Sequence, residues 1–490
     1  MENYWKFGLW DLFSYDALRP LLFNSTQFML LFAVFISVYA LLYRTYWVRA
    51  IYIILFSLFF YYKSSGMYVI MLGGSIFFNF SVGHYLHIMS NQIKRKALVF
   101  FAVAVNLGIL GYYKYTNFFL ENYSYLSGKS FEALDIFLPI GISFFTFQAL
   151  SYVIDIFRRE FNPEYNILDF AFYISFFPQL VAGPIVRAAH FLPQLKKKIT
   201  ISNRDISAGM FLIMQGLVKK AIIADYISQY NDMVFAMPNS YSGFENLLAV
   251  YGYTLQIYCD FSGYSDIAIG IGRMMGFDLG INFLKPYQAV NITDFWRRWH
   301  ISLSSWLRDY LYIPLGGNRK GKVRTNVNLF ITMLLGGLWH GASWKFVVWG
   351  GMHGLGLALH KLYSKFFKPV IPSTIAGKIL SWLFTFHFVI FLWIFFRASS
   401  FQDAIDIIYN IGTNMDFAYL VPFWQTRKVF VIMLVAGFAI HTIPVKTFDN
   451  LTERFVKLPF IIKAIAFVVL IQLIIQFKTE GVQPFIYFQF

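Results

Sequence analysis

The sequence predicts an all-α protein that crosses a membrane many times. Hydrophobic residues make up 58% of the 490-residue chain and charged residues only 13%, whereas a soluble domain carries about 25% charged residues. The mean hydropathy is +0.55, and apolar runs of about 20 residues, the length of a membrane-spanning helix, recur along the chain. We expect about eleven spans and one or two re-entrant helices, as a polytopic transmembrane helical protein.

The charge balance favours a membrane surface over a nucleic acid. The formal net charge is +16, and its basic residues are scattered between apolar runs, which is typical of cytosolic loops near anionic lipids. The single cysteine, Cys259, excludes an internal disulfide and a multi-cysteine metal site. The start of the chain, which is not basic, does not predict a cleavable signal peptide.

The first third of the chain predicts a lead-in followed by four apolar helices. Residues 1–26 are mixed aromatic and polar, and we expect an extension or interfacial helix there. A single transmembrane domain is expected over 27–490, and the stretch 114–135 is expected to be a polar loop. The apolar runs are 28–43, 50–62, 67–88 and 97–113, and the basic segments between them, 44–49 and 93–97, are assigned to the cytosol.

A broken helix is predicted within 167–186. Pro178, Gly183 and Pro184 interrupt this apolar run, and a broken helix at membrane depth lines protein-buried or wet space. In the later run 245–271, Asp260 and Asp266 are six residues apart, which is roughly 240° around a helix. They therefore do not form a paired-carboxylate site, and we expect buried hydrogen-bond anchors.

The stretch 291–344 is the predicted catalytic stretch, and its first part is amphipathic. Each charge in 291–311 costs roughly 2.5–3.5 kcal/mol at the bilayer centre, and about ten apolar residues return only ~0.3–0.6 kcal/mol each. This segment therefore does not face lipid. Its apolar residues recur at helical spacing, which predicts one tilted or re-entrant helix. The charged residues are Asp294, Arg297, Arg298, Arg308 and Asp309, and the recurring ones include Trp296, Trp299, His300 and Trp306.

His340 follows an uncharged apolar run, 328–339. An ionisable residue at membrane depth is a candidate functional residue by default. Gly336, Gly337 and Gly341 would allow another backbone or a substrate to approach closely. Four more apolar runs are predicted as helices, at 344–363, 376–397, 428–445 and 458–477.

A buried imidazole suits acyl transfer, because a neutral imidazole can act as a base near pH 7. Activation of a hydroxyl against a thioester also needs donors for the developing oxyanion; Asn291, Ser302, Ser304 or tryptophan N–H groups are candidates. Arginines and lysines, which can hold phosphate groups of a carrier, occur at 297, 298, 319, 320, 322 and 324.

Structural roles remain open for these residues. The histidines can be packed hydrogen-bonding residues, the tryptophans an interfacial belt, and the basic segment 319–324 an ordinary cytosolic loop. His353 and His360 share a helical face, but there is no His-Glu-x-x-His motif, and no metal site is expected.

Two ordered motifs carry a family resemblance: Trp-Arg-Arg-Trp-His-Ile-Ser-Leu-Ser at 296–304 and Trp-His-Gly-Ala-Ser-Trp at 339–344. With them, the chain resembles the membrane-bound O-acyltransferase family, and in particular its branch in bacterial polysaccharide O-acetylation. Residues 1–20 depart from the family's usual start. The other matching segments are 138–155, 176–187, 260–270, 294–317, 391–398 and 484–490.

The resemblance implies that His340 is the family's essential histidine and His300 its second conserved one. It also implies a central funnel or tunnel, an acetyl donor from the cytosol, and an extracytoplasmic serine-hydrolase-like acetyltransferase partner. The candidate catalytic residues are His340 and His300; the candidate substrate- and donor-binding residues are Asn291, Trp296, Arg297, Arg298, Trp299, Ser302, Arg308, Trp339 and Trp344.

These expectations combine into a multi-pass O-acyltransferase of the bacterial inner membrane. It would move acetyl groups from acetyl-CoA, a substrate and not a resident cofactor, towards a cell-envelope polysaccharide, with His340 as general base or transient acyl acceptor. Three alternatives stay open: D-alanyl transfer to teichoic acid from a carrier-protein thioester, a transporter or flippase, and a scaffold.

Overall fold

The computed structural model describes residues 13–17, 20–181, 183–366 and 374–477. Within these ranges all regular structure is helical, so the predicted all-α class is confirmed. Most of the expected lead-in 1–26, and the whole family-like segment 484–490, lie outside the described residues.

The α-helices, in chain order, are α1 Thr26–Leu42, α2 Tyr46–Ser65, α3 Val69–Ile88, α4 Gln92–Ser127, α5 Ile142–Arg158, α6 Ile167–Ser175, α7 Phe177–Leu180, α8 Ala188–Leu195, α9 Asn203–Leu217, α10 Asp225–Ala236, α11 Gly243–Met274, α12 Ile292–Arg298, α13 Ile301–Leu307, α14 Gly321–His340, α15 Trp344–Phe366, α16 Ile375–Arg397, α17 Phe401–Thr413, α18 Leu420–Thr442, α19 Val445–Lys457 and α20 Phe460–Phe477. Two π-helical segments are Val218–Ala224 and Arg308–Tyr312. Short 3₁₀ turns occupy Gly66–Tyr68, Pro238–Ser240, Pro286–Gln288 and Phe417–Tyr419.

Six stretches of described helix are long and apolar enough to cross a membrane. This agrees with a multi-pass membrane protein, while the figure of about eleven spans stays a prediction. The six stretches are Tyr46–Ile88, Gln92–Ser127, Asn203–Ala236, Ile375–Arg397, Phe417–Thr442 and Phe460–Phe477.

The chain divides into two compact units by its residue contacts. The first comprises the described residues of Met1–Ile213 and Ile267–Gly280, and the second comprises those of Met214–Asp266 and Ile281–Phe490. A single domain over 27–490 and a central funnel stay predictions.

In the first unit, the predicted helix break is confirmed. Helix α6 ends before Phe176, whose ψ of 107° is not helical, and α8 begins only at Ala188. Side chains replace the lost backbone bonds: Phe177 N–H donates to Ser57 Oγ at 3.2 Å and Tyr173 Oη donates to Val186 O at 3.0 Å. The break is therefore buried in protein, as irregular backbone in a membrane protein must be.

The predicted polar loop 114–135 is wrong, because α4 continues to Ser127. Asn91 caps its start by accepting from the backbone N–H groups of Ile93 and Lys94, and Gly128 ends it at φ 68°. A helix of 36 residues is about 54 Å long, far longer than the ~30 Å hydrocarbon core. Its last turns can therefore carry exposed polar side chains such as Glu121.

In the second unit, buried ion pairs hold the π-helical segment Val218–Ala224 against α11. Lys219 Nζ lies 2.6 Å from Asp266, and Lys220 Nζ contacts both Asp225, at 2.7 Å, and Asp260. The prediction of a buried anchor is thus confirmed for Asp260, which is 3% exposed, whereas Asp266 pairs with Lys219 but is only partly buried.

Three tryptophans pack together in the core of the second unit. Trp393 of α16 lies 5.0 Å from Trp299 and 5.8 Å from Trp349 between ring centroids, and all three are 1% exposed. This cluster brings α16 and α15 together with the end of α12, and the two candidate histidines lie beside it.

Candidate functional site

His340 is the last residue of α14 and is only 2% exposed. Its ring is packed against the rings of Trp339, Trp349 and Phe396, at centroid distances of 5.0, 5.0 and 5.3 Å. The chain leaves the helix at Gly341, whose φ of −164° is extended. His340 is thus an imidazole enclosed by aromatic rings at the C-terminal end of a helix.

Glycines on α14 and α15 set this position, as predicted for Gly337. A Cβ on Gly337 would lie 2.9 Å from the Cα of Gly350 and would also clash with the carbonyl oxygen of Phe346. A Cβ on Gly341 would meet the ring of Phe346. The two helices therefore touch backbone to backbone just before His340.

His300 contradicts the prediction of one continuous helix over 291–311. Helix α12 ends at Arg298, α13 starts at Ile301, and His300 between them has φ 43° in the left-handed region. Asn282 stabilises the break between the two helices, because its backbone carbonyl accepts from Ile301 N–H at 2.9 Å. Amphipathic spacing continues across the break, so the sequence pattern alone did not show it.

The hydrogen bond at His300 fixes which ring nitrogen carries the proton. His300 caps α13: its Nδ1 accepts from the backbone N–H of Leu303 at 3.2 Å. An accepting nitrogen carries no hydrogen, so the neutral ring has its N–H on Nε2. His300 is 0% exposed and packs 4.6 Å from Phe261.

Trp339 contacts both candidate histidines. Its ring centroid lies 5.0 Å from that of His340 and 6.2 Å from that of His300. The structure therefore places both predicted catalytic residues in contact with one buried indole.

The predicted oxyanion donors from short polar side chains serve local structure instead. Asn291 Oδ1 caps α12 by accepting from Asp294 N–H at 2.8 Å. Ser302 Oγ donates to Asn282 Oδ1 at 2.9 Å, and Ser304 Oγ donates to Trp299 O at 3.1 Å. The hydroxyl hydrogens of both serines are thus already engaged.

The arginines of this stretch lie at its exposed side. Arg297 is exposed, and Arg298 Nε pairs with Asp294 at 2.9 Å. Arg308 pairs with the neighbouring Asp309 at 2.7 Å and keeps 64% of its side chain exposed. None of the three points to an enclosed anion site, and the basic residues at 319, 320, 322 and 324 are exposed as well.

The four predicted binding tryptophans differ in burial. Trp299 and Trp339 are 1% and 5% exposed, Trp296 is half-buried, and Trp344 is 58% exposed at the first position of α15. The ring of Trp339 packs 5.0 Å from that of His340, so the structure supports Trp339 as a site residue.

Sequence reasoning missed Trp349, His353 and Phe396, which also belong to this cluster. Trp349 and His353 are four residues apart on α15, with ring centroids 4.7 Å apart. Residues at this spacing lie on one helical face, and this was the signal that could have found them. His353 had been paired with His360 instead, but His360 Nδ1 bonds to Thr293 Oγ1 at 3.0 Å.

The arrangement can support proton transfer in a dry site. The C-terminus of a helix carries about half a negative charge and stabilises a nearby cation by roughly 0.3–2 kcal/mol. His340 sits there, so α14 favours the positive charge that an imidazole gains when it takes a proton. Aromatic rings on its faces exclude water, which strengthens every electrostatic interaction inside the site.

A comparison with models of known protein families found a match to more than half of this chain. Residues 113–401 match a family model described as "MBOAT, membrane-bound O-acyltransferase family". The matched range includes His300, His340 and His353.

The chain is also similar to several bacterial proteins. It is 40% identical over 395 residues to "Peptidoglycan O-acetyltransferase" of Helicobacter pylori, covering 74% of each chain. It is 34% identical over 496 residues to "Probable alginate O-acetylase AlgI" of Pseudomonas putida, covering 96% of this chain and 100% of that one. It is 31% identical over 277 residues to "Teichoic acid D-alanyltransferase" of Bacillus subtilis, covering 54% and 69%.

Proposed function

Because this chain belongs to the membrane-bound O-acyltransferase family, we propose that it transfers acetyl groups from acetyl-CoA for O-acetylation of a cell-envelope polysaccharide. The observation that carries the proposal is His340, a buried imidazole at the end of α14 within the family-matched range. Membership in an acyltransferase family also argues against the transporter and scaffold alternatives.

His340 acts as the general base. One ring nitrogen takes the proton of the acceptor hydroxyl while the hydroxyl oxygen attacks the thioester carbonyl. The new C–O bond forms, the C–S bond breaks, and the leaving thiolate takes the proton from the imidazolium. The products are an acetate ester and free CoA, and His340 returns to its neutral form.

His300 supports the site through its contact with Trp339, which also contacts His340. Its Nδ1 is occupied by Leu303 N–H, so only Nε2 can serve as a donor. This fits an assisting or gating role better than a second base, because a base needs a nitrogen able to accept a proton.

The acetyl-CoA side is proposed to be cytosolic. The exposed basic segment 319–324 carries four cations, two just before α14 and two in its first turn, which suit the phosphates of CoA. An extracytoplasmic serine-hydrolase-like partner would complete transfer to the polysaccharide, and the protein would reside in the bacterial inner membrane.

The proposal is tested in intact cells that depend on this chain for envelope acetylation. Ester-linked acetate released from the envelope by mild alkali is measured for wild type and for His340→Ala, at matched protein levels. We expect acetate with wild type and its loss with His340→Ala. The matched control is His190→Ala, because His190 is half-exposed and lies in the first unit beside Asp278. Equal acetate in wild type and His340→Ala cells would contradict the assignment.

The same hydrolysate separates the nearest alternative. The similarity to a teichoic acid D-alanyltransferase covers only 54% of this chain, less than the similarity to the O-acetyltransferases. Release of D-alanine in place of acetate would establish that alternative and overturn the acetyl donor.

A further inference from the structure

His353 is a third fully buried imidazole, one helical turn beyond Trp349 on α15. It is 0% exposed. Its ring packs in parallel on Phe295 at 6.1 Å and meets the rings of Trp296 and Phe388 edge to face, at 5.0 and 6.0 Å. Aromatic side chains from α12, α15 and α16 therefore enclose it.

Neither ring nitrogen of His353 has a hydrogen-bond partner within the described part of the chain. The same holds there for the indole N–H groups of Trp349, which is 1% exposed, and of Trp296. Buried polar atoms almost always find partners, and a group without one calls for an explanation such as a catalytic role. A phenylalanine would fill the space of His353 without this penalty, so packing does not account for the histidine.

The cluster lies directly beside His340. Trp349 separates the two imidazoles, with ring centroids 4.7 Å from His353 and 5.0 Å from His340. The Gly337–Gly350 contact fixes Trp349 relative to α14. The unpartnered indole N–H of Trp349 and imidazole of His353 therefore belong to the same ring cluster as His340.

Acyl transfer needs donors for an oxyanion, which the serines of this stretch do not supply. Attack on a thioester places negative charge on the carbonyl oxygen, and donors prepositioned for that oxygen are usually a large part of catalysis. Ser302 and Ser304 donate elsewhere. The indole of Trp349 offers one N–H, and a neutral imidazole at His353 offers another.

We propose that Trp349 and His353 bind the carbonyl oxygen of the transferred acyl group while His340 takes the proton of the acceptor hydroxyl. The inference rests on the proposed function and extends it to the binding of the acyl group. Trp296 packs against both residues, with its ring centroid 5.0 Å from that of His353 and 5.8 Å from that of Trp349.

The test uses membrane vesicles that hold the full chain with its cellular partners. Initial rates of ester formation are measured against acetyl-CoA concentration for wild type, His353→Phe, His353→Gln and Trp349→Phe. We expect kcat to fall roughly 10²–10³-fold in His353→Phe, with little change in KM, and His353→Gln to recover part of it through its amide N–H. Trp349→Phe, which keeps a ring and removes an N–H, should also lower kcat.

Thermal unfolding of the purified variants separates this role from packing. His441 is the matched control: it is 6% exposed, and its Nε2 accepts from Tyr287 N–H at 3.2 Å. His441→Phe removes an acceptor and should lower the Tm, whereas His353→Phe should keep or raise it.

Three results would overturn the inference: a His353→Phe kcat within about tenfold of wild type, a Tm loss as large as that of His441→Phe, or a His353→Gln variant no more active than His353→Phe. If wild-type vesicles form no acetate ester at all, the proposed function fails instead.

Discussion

Gly337 of α14 lies so close to Gly350 of α15 that a Cβ on Gly337 would come within 2.9 Å of the Gly350 Cα atom. This contact sits three residues before His340. It therefore links the packing of two helices to the placement of the proposed base.

Gly337→Ala should separate α14 from α15. Forcing an extra methyl group into a packed contact costs about 1–3 kcal/mol, and we expect a lower Tm together with reduced acetylation. Thermal unfolding and envelope acetate are measured on the same variant. Gly108→Ala in α4 is the control, because a Cβ there meets nothing within 4 Å; its Tm should not fall. Equal behaviour of the two variants would show that the close contact does not matter.

His300→Asn should be more stable than His300→Val. Asparagine tolerates the left-handed conformation and caps helices well, but valine does neither, and a strained backbone costs about 1–3 kcal/mol. The expected order of Tm is therefore Asn above Val. Both variants should lose acetylation, because neither keeps the imidazole N–H of the proposed assisting role. A valine variant as stable as the asparagine variant would contradict the φ of 43° at this position.

Lys220→Met should be among the more destabilising single substitutions. It would leave Asp225 and Asp260 buried without this cation, and removing one member of a buried ion pair typically costs about 3–5 kcal/mol. Denaturant or thermal unfolding in detergent checks this. Lys322→Met, at an exposed position in the first turn of α14, should stay within about 0.5 kcal/mol of wild type. The ion pairs are not structural anchors if both variants unfold alike.

Substitutions in the exposed basic segment should weaken the binding of the acetyl donor without changing the rate of the chemical step. We expect K320Q/K322Q to raise the KM for acetyl-CoA by about threefold to tenfold with kcat unchanged, because each exposed charge contributes at most about 1 kcal/mol. A short acetyl thioester without phosphates should show no such change. K94Q/K96Q removes two exposed lysines elsewhere and serves as the control. An unchanged KM would leave this segment as an ordinary cytosolic loop.

The sequence predicted those features that depend on composition or on single residues with strong local effects. Apolar run lengths predicted the all-α class, and Pro178, Gly183 and Pro184 predicted the break between α6 and α8. Helical spacing predicted that Asp260 and Asp266 are separate anchors and not a paired site, and the structure supplied their lysine partners.

Features set by distant contacts could not be predicted. The break at His300 depends on the carbonyl of Asn282, 19 residues before Ile301 in the chain, while the local pattern reads as one helix. The end of α4 at Gly128 was not predicted. Polar residues after 113 suggest a loop, but α4 is longer than the membrane is thick and carries them in its last turns. His353 gained its significance only through the rings that α12 and α16 place around it.

The most direct measurement is the initial rate of acetyl transfer from labelled acetyl-CoA in membrane vesicles that carry His340→Gln, compared at equal protein level with vesicles that carry His190→Gln. A positioned base contributes roughly 10²–10⁴-fold to a rate. We therefore expect a loss of that size for His340→Gln and a wild-type rate for His190→Gln. A His340→Gln rate within about threefold of wild type would contradict the assignment of His340 as the base, because a threefold loss is far smaller than the loss of a positioned base should cause.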